Sequence, residues 1–109
     1  ITGNSGYIGS HLSKLLDTEY ELYGLDLKNP QYPVKKHFKH DIRQNIPASN
    51  IEFDTVIHNA GMLSRDGLTN MSEKRLDKMF LVNSVVPMYL TKYCLPYMMK
   101  HNHGNIFFF

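Results

Sequence analysis

With 109 residues, 42% hydrophobic and 20% charged, the chain has the balance of one small globular domain and not two. A formal net charge of +2, from scattered lysines and arginines, argues against nucleic acid or an anionic membrane as partner. No apolar run reaches the roughly 20 residues of a membrane span, and the single cysteine, Cys94, excludes an internal disulfide and fits a reducing, cytoplasmic setting.

Ile1-Thr2 reads as the tail of a strand. The glycine-rich stretch TGNSGYIG, Thr2 to Gly9, follows, and then Ile8, Leu12, Leu15 and Leu16 recur at helical spacing up to Asp17-Thr18. Tyr20 to Leu27 reads as a strand ending near an acid, Asp26; Lys28 to Pro33 is a turn; Val34 to Ile42 is a shorter strand. A polar connection through Ser49 and Asn50 leads to Phe53–Gly61, an apolar run bounded by Asp54 and by Asn59-Ala60-Gly61. Residues 61–72 read as a loop. A long helix then carries Leu76, Phe80, Asn83, Pro87, Leu90, Cys94 and Met98 on one stripe, with Pro87 and Pro96 expected to bend or break it and Gly104 to stop it. Asn105 to Phe109 enters a last strand. Strands alternating with helices indicate parallel βαβ units.

The glycines of TGNSGYIG stand at Gly3, Gly6 and Gly9. A helix start offers unpartnered N–H groups and a partial positive charge, which suit a phosphate if no bulky side chain stands in the way. Gly3 can take the tight turn, Gly6 can admit a pyrophosphate close to the backbone, and Gly9 can let the helix pack closely. Asp26 lies at the spacing at which a carboxylate accepts the adenosine ribose hydroxyls and repels a 2′-phosphate, which favours NAD over NADP. Nearby Lys28 pulls the other way. The bland readings are a purely structural glycine turn and an acid that merely opens the turn before Pro30.

Together these residues resemble the short-chain dehydrogenase/reductase family. Thr2-Gly3-x-x-Gly6-Tyr7-Ile8-Gly9 resembles the loop of its extended branch, which holds many nucleotide-sugar epimerases and dehydratases. Asp41-Ile42 resembles the pair after the third strand whose acid helps hold adenine. Asn59-Ala60-Gly61 resembles the segment that steadies the sheet beside the cofactor, and Leu95 to Phe109 resembles the run into the fifth strand of the single-domain branch. The resemblance implies a Rossmann-type, doubly wound parallel α/β sheet, truncated at both ends, over residues 1–109. It implies NAD held by Gly3, Ser5, Gly6, Tyr7, Ile8, Gly9, Asp26, Asp41, Ile42, Asn59, Ala60 and Gly61, with Asn83 as the one catalytic residue, part of a proton relay. It also implies oxidoreduction of a secondary alcohol or carbonyl, with a sugar nucleotide as one option, and a homodimer through the long helix. Asn83 has a case of its own: an amide on an apolar stripe must find hydrogen bonds. A module that binds or senses the dinucleotide without catalysis is the other reading, and a mononucleotide or flavin binder a third.

The family's Tyr-x-x-x-Lys pair and its serine are expected after Phe109. The literal match from Tyr32 to Lys36 stands before Asn83 on the adenine side and is rejected. With Ile1 in place of Met and so little of a first strand, the sequence is expected to be a piece of a protein of roughly 230–350 residues. No metal is expected. His37 and His40 sit at an odd separation on a strand, and His101 and His103 at a helix end, where imidazoles meet the last carbonyls. His11 and His58 are given helix-face or core roles, Ser64, Arg65 and Asp66 a solvated loop, and Tyr89, Tyr93 and Tyr97 a packing or subunit face.

Overall fold

The computed structural model describes residues 1–44 and 51–109. The connection through Ser49 and Asn50 lies outside the described residues. Helix α1 spans Tyr7–Leu16, α2 Glu73–Phe80 and α3 Val86–Lys100; the strands are β1 Tyr23–Asp26, β2 Lys36–Lys39, β3 Thr55–His58 and β4 Asn105–Phe108. Each strand is shorter than the stretch read for it in the sequence.

β1 pairs with β2 and β3 with β4, both in parallel. Thr2 joins the pairs by bridging Leu25 on one side and His58 on the other, with Thr2 N–H donating to Ile57 O at 3.0 Å and Gly3 N–H to Leu25 O at 2.8 Å. The order is therefore β2, β1, the Ile1-Thr2 segment, β3, β4. The chain winds outward in both directions from its centre, and a crevice opens at the carboxyl ends of the strands where the winding reverses. Parallel pairing puts all those ends on one edge, so residues after Thr2, β1, β2 and β3 meet there.

The core lies between α3 and the β3–β4 pair: Val56, Cys94 and Met98 pack together, with Phe53 and Ile106 against them. Each such buried apolar side chain contributes about 1.5–3 kcal/mol.

The helices depart from the periodicity reading in instructive ways. On α1 the buried residues are Gly9, Ser10 and Ser13, while Ile8 and Leu15 are exposed, Leu15 at 73%. The helix lies so close to the loop beneath it that only small side chains fit. A Cβ on Gly9 would stand 2.1 Å from Gly3 O, and the buried hydroxyls of Ser10 and Ser13 bond back to Tyr7 O and Gly9 O, both at 2.9 Å.

The expected long helix is two helices joined by a π-helical turn over Leu81–Val85. Pro87 has no N–H, and its ring would crowd the carbonyl of Asn83 in a regular helix; the wider turn relieves both problems. The turn also rotates what precedes it. Val82, not Asn83, falls in line with buried Val86, Leu90, Cys94 and Met98, while Asn83 is exposed and Phe80 is 60% exposed. Pro96 does not break α3. It lies on the exposed face, where water can satisfy the Lys92 carbonyl. The stop is Asn102, in the left-handed region at φ 50, and not Gly104. Gly104 makes room instead: a Cβ there would lie 2.5 Å from Met98 Cγ.

Candidate functional site

A groove of about 680 Å³ runs along the carboxyl edge of the sheet. Its walls include Gly3, Gly6, Tyr7 and Ile8 from the glycine loop and α1, Asp26 after β1, Asp41 and Ile42 after β2, and Asn59, Ala60 and Gly61 after β3. The sequence reading had assigned every one of these to a single site. Ser5 and Gly9, also assigned to it, are buried beneath the wall.

The three glycines do different work. Gly3 has φ +68, and a Cβ there would stand 2.8 Å from Ala60 Cα, so loop and strand end touch backbone to backbone. Gly9 fits under the loop, as above. Among the described residues a Cβ on Gly6 would meet nothing closer than Gly3 O at 3.4 Å, and Gly6 itself lines the groove. Gly6 is also the N-cap of α1, brings no capping side chain, and is followed by a first turn without an acid. The first N–H groups of α1 are thus left facing the groove, a cradle of the size and polarity that a pyrophosphate fits.

Asp26 stands beside that cradle. Ser5 N–H donates to its Oδ2 and Lys28 N–H to its Oδ1, each at 3.0 Å. Both carboxylate oxygens are held by backbone and keep a lone pair for a further donor such as a ribose hydroxyl. Across the groove the Thr2 hydroxyl accepts from Asn59 N–H at 3.1 Å and Ala60 N–H at 3.0 Å, and the Asn59 amide donates back to Thr2 O and Gly3 O. The Asn-Ala-Gly segment is therefore sewn to the glycine loop.

Asn83 does not face the core. From its exposed place on the π turn its Oδ1 accepts from Met62 N–H at 2.7 Å and its Nδ2 donates to Met62 O at 2.9 Å. Both sides of the amide grip one backbone residue, and Met62 lines the groove.

Several groove residues were not foreseen. Arg43 forks onto Asp41: its Nε donates to Oδ1 at 2.8 Å and Oδ2 at 3.0 Å, and a terminal nitrogen of its guanidinium also bonds Oδ2. These bonds hold the Asp41 carboxyl down at about 2, so the acid expected to serve adenine is ionised and already matched. Lys78 and Val82, from α2 and the π turn, close the far wall. The one-residue gap between Asp41 and Arg43 was the available signal for the fork. An isolated glycine within a strand, Gly24, was a signal for close approach: a Cβ there would stand 2.3 Å from the Asn4 amide.

Of the other candidates, His40 lines the groove beside Asp41, and the rest fall outside it. His58 is a core residue, 2% exposed and stacked on Phe108, with its Nε2 2.9 Å from Thr91 Oγ1; burial pushes it down to about 4. His11 lies on the exposed face of α1 against Tyr7 O, and His101 meets the Tyr97 carbonyl at the end of α3. Tyr32 bonds Asp17 while Lys36 lies over the Phe38 ring, so neither reaches the groove. Ser64 and Asp66 lie in the loop before α2, where Arg65 and Asp66 are exposed, and meet Arg75 of α2 at the surface. Among the described residues no helix is long and apolar enough to cross a membrane.

Known proteins share this arrangement. Over 95 residues, 84% of this chain, the sequence is 30% identical to estradiol 17-beta-dehydrogenase 11 from Pongo abelii, of which the chain spans 32%. A solved 4-hydroxyisoleucine dehydrogenase in complex with NADH superposes with a TM-score of 0.83 at 21% identity, over 97% of this chain and 52% of that one. The closed form of a serine dehydrogenase in complex with NADP+ gives 0.73 at 20% identity, over 97% and 50%. These likenesses establish an α/β fold of the Rossmann type. The family model described as short chain dehydrogenase matches residues 34–109, well over half of the sequence, and with the relative at 30% identity it shows that the chain belongs to the short-chain dehydrogenase family.

Proposed function

We propose that this chain forms the dinucleotide site of an oxidoreductase that uses NAD and acts on a secondary alcohol or the corresponding carbonyl. The observation that carries the reading is Asp26, held by Ser5 N–H beside the open cradle at Gly6. When bound, the nicotinamide supplies the hydride chemistry. The chain's own residues bind and orient it. The α1 amides take the pyrophosphate, and Asp26 takes the adenosine ribose and opposes a 2′-phosphate. Ile42 and Val82 flank the adenine end, and Asn59 to Met62 form the opposite wall. Asn83, exposed beside Met62, stands where the relay role implied by the resemblance is compatible with the fold. The sugar-nucleotide option has only the glycine spacing in its favour. The relative at 30% identity is named as a dehydrogenase, which favours alcohol–carbonyl oxidoreduction over epimerisation.

The test is a titration of the protein with NADH and with NADPH, followed by nicotinamide fluorescence. NADH is expected to bind at least about tenfold more tightly, the worth of one charged hydrogen bond. Tighter NADPH overturns the cofactor assignment, and binding of neither overturns the dinucleotide site. A second copy pairing through the exposed face of α3, which presents Met88, Tyr89 and Tyr93, belongs to the same reading and is checked by light scattering.

A further inference from the structure

Behind the glycine loop, outside the groove, lies a hydrogen-bonded cluster that reaches the loop at Ser5 and the turn that holds Asp26. Asn4 is 1% exposed, and its Nδ2 lies 3.4 Å from His37 Nδ1. Gly24 leaves the space for this amide, and Gly24 and His37 are register partners across β1 and β2, so both face Asn4. On the other side of the imidazole, Nε2 stands 2.9 Å from the Lys28 carbonyl. A carbonyl only accepts, so Nε2 carries the proton and Nδ1 accepts from the Asn4 amide. Both ring nitrogens thus have fixed roles.

The Lys28 carbonyl also accepts from Ser5 Oγ at 2.9 Å, and Lys28 N–H donates to Asp26 Oδ1 at 3.0 Å. Gln31 Nε2 closes the ring by donating to Ser5 O at 3.1 Å. The Lys28 backbone is therefore held on both sides: its N–H fixes the acid, and its carbonyl is fixed by the loop and by β2. Leu27 lines the groove, while the exposed Lys28 beside it does not. A small slip of this turn would loosen Asp26 and carry an ammonium toward the groove at once.

We propose that His37 is a positioning residue for cofactor choice: its Nε2–H clamps the Lys28 carbonyl, keeping the Asp26 carboxylate at the groove and the Lys28 ammonium away from it, so that a ribose 2′-hydroxyl is preferred over a 2′-phosphate. This rests on the dinucleotide reading of the groove. Asp26 sets the preference and His37 holds Asp26 in register, so the two residues are coupled although no bond joins them.

The experiment measures NADH and NADPH affinities by nicotinamide fluorescence on the full chain. The variants are His37→Gln, which keeps a donor where Nε2 sits, and His37→Phe and His37→Asn, which do not. His37→Phe is also made in Asp26→Asn and Lys28→Gln backgrounds. Loss of the clamp should weaken NADH by roughly three- to tenfold, the worth of one neutral hydrogen bond, while NADPH binding holds or tightens. His37→Gln should restore the wild-type ratio. His37→Phe should cost nothing further for NADH once Asp26 is Asn, and Lys28→Gln should abolish any gain for NADPH. If His37→Phe does not fold, His37→Asn carries the same comparison. Equal loss of both dinucleotides, a full effect on top of Asp26→Asn, or failure of Gln to rescue overturns the role of His37. A wild-type chain that binds neither dinucleotide overturns the groove reading itself, a result distinct from an unchanged preference in the variants.

Discussion

The backbone amide of Ser5 donates to the Asp26 carboxylate at 3.0 Å across 21 positions of sequence. That bond joins the glycine loop to the end of β1, so the acid and the open first turn of α1, which the proposed function gives to the ribose and the pyrophosphate, are held together. Asp26→Asn keeps the shape, but an amide can accept from only one of Ser5 N–H and Lys28 N–H and meets the other with its own donors. NADH affinity should fall by about 1.5–3 kcal/mol, the worth of a charged hydrogen bond, while NADPH changes less. Parallel titrations of the two dinucleotides check this.

The glycines separate folding from binding. Gly6→Ala adds a Cβ that meets only Gly3 O at 3.4 Å, so the midpoint of thermal unfolding should move little while NADH affinity drops sharply. Gly9→Ala places its Cβ 2.1 Å from Gly3 O and 2.7 Å from Asn4 Cα, both backbone atoms that cannot swing away. It should destabilise the fold by about 1–3 kcal/mol, the usual cost of overpacking, before binding is considered. A thermal scan beside a titration tells the two apart.

These sites show what a sequence discloses. Backbone geometry writes itself into residue type where no substitute exists, so Gly3 and Gly9 could be read directly, and the spacing to Asp26 placed an acid beside their loop. Parallel topology then brought Asp41 and Asn59 to the same edge. Hydrophobic spacing served less well where space, not polarity, decides. It favoured Leu15 and Ile8 on α1, but contact with the loop admits only Gly9 and Ser13. The spacing also assumed one uninterrupted helix through Asn83; the π turn before Pro87 shifts the register and brings Asn83 out to Met62. The cluster of Asn4, Gly24 and His37 depends on which residues oppose each other across β1 and β2, and a single sequence does not state register.

Asn83 should act on the loop after β3 rather than on the core. Asn83→Leu removes both bonds to Met62 and leaves a backbone N–H and carbonyl to find water. A loss of about 1–3 kcal/mol is expected, with faster amide exchange concentrated around Met62. Asn83→Asp keeps the acceptor for Met62 N–H but sets an oxygen against Met62 O, so it should fall between wild type and Leu. Hydrogen exchange resolved along the chain, together with urea midpoints, tests that order.

His58 supplies a pH dependence whose sign follows from its burial. The ring is 2% exposed, its Nδ1 is buried without a partner among the described residues, and burial lowers it to about 4. In the unfolded chain an imidazole titrates near about 6.5. Above that range the ring is neutral in both states and costs nothing. As pH falls from about 6.5 toward 4 the unfolded chain takes up a proton that the folded chain refuses, so stability declines; below about 4 both states are protonated and the decline stops. Asp41 acts in a separate window. Its carboxyl is held down by Arg43, so the stability it adds is complete above the ordinary carboxylate range and is lost only as pH falls toward about 2. Urea midpoints measured from pH 7 to pH 4 should therefore fall for the wild type. They should flatten in His58→Phe, which keeps a ring to stack on Phe108 but cannot take a proton. An equal slope in both proteins would place the titrating group elsewhere.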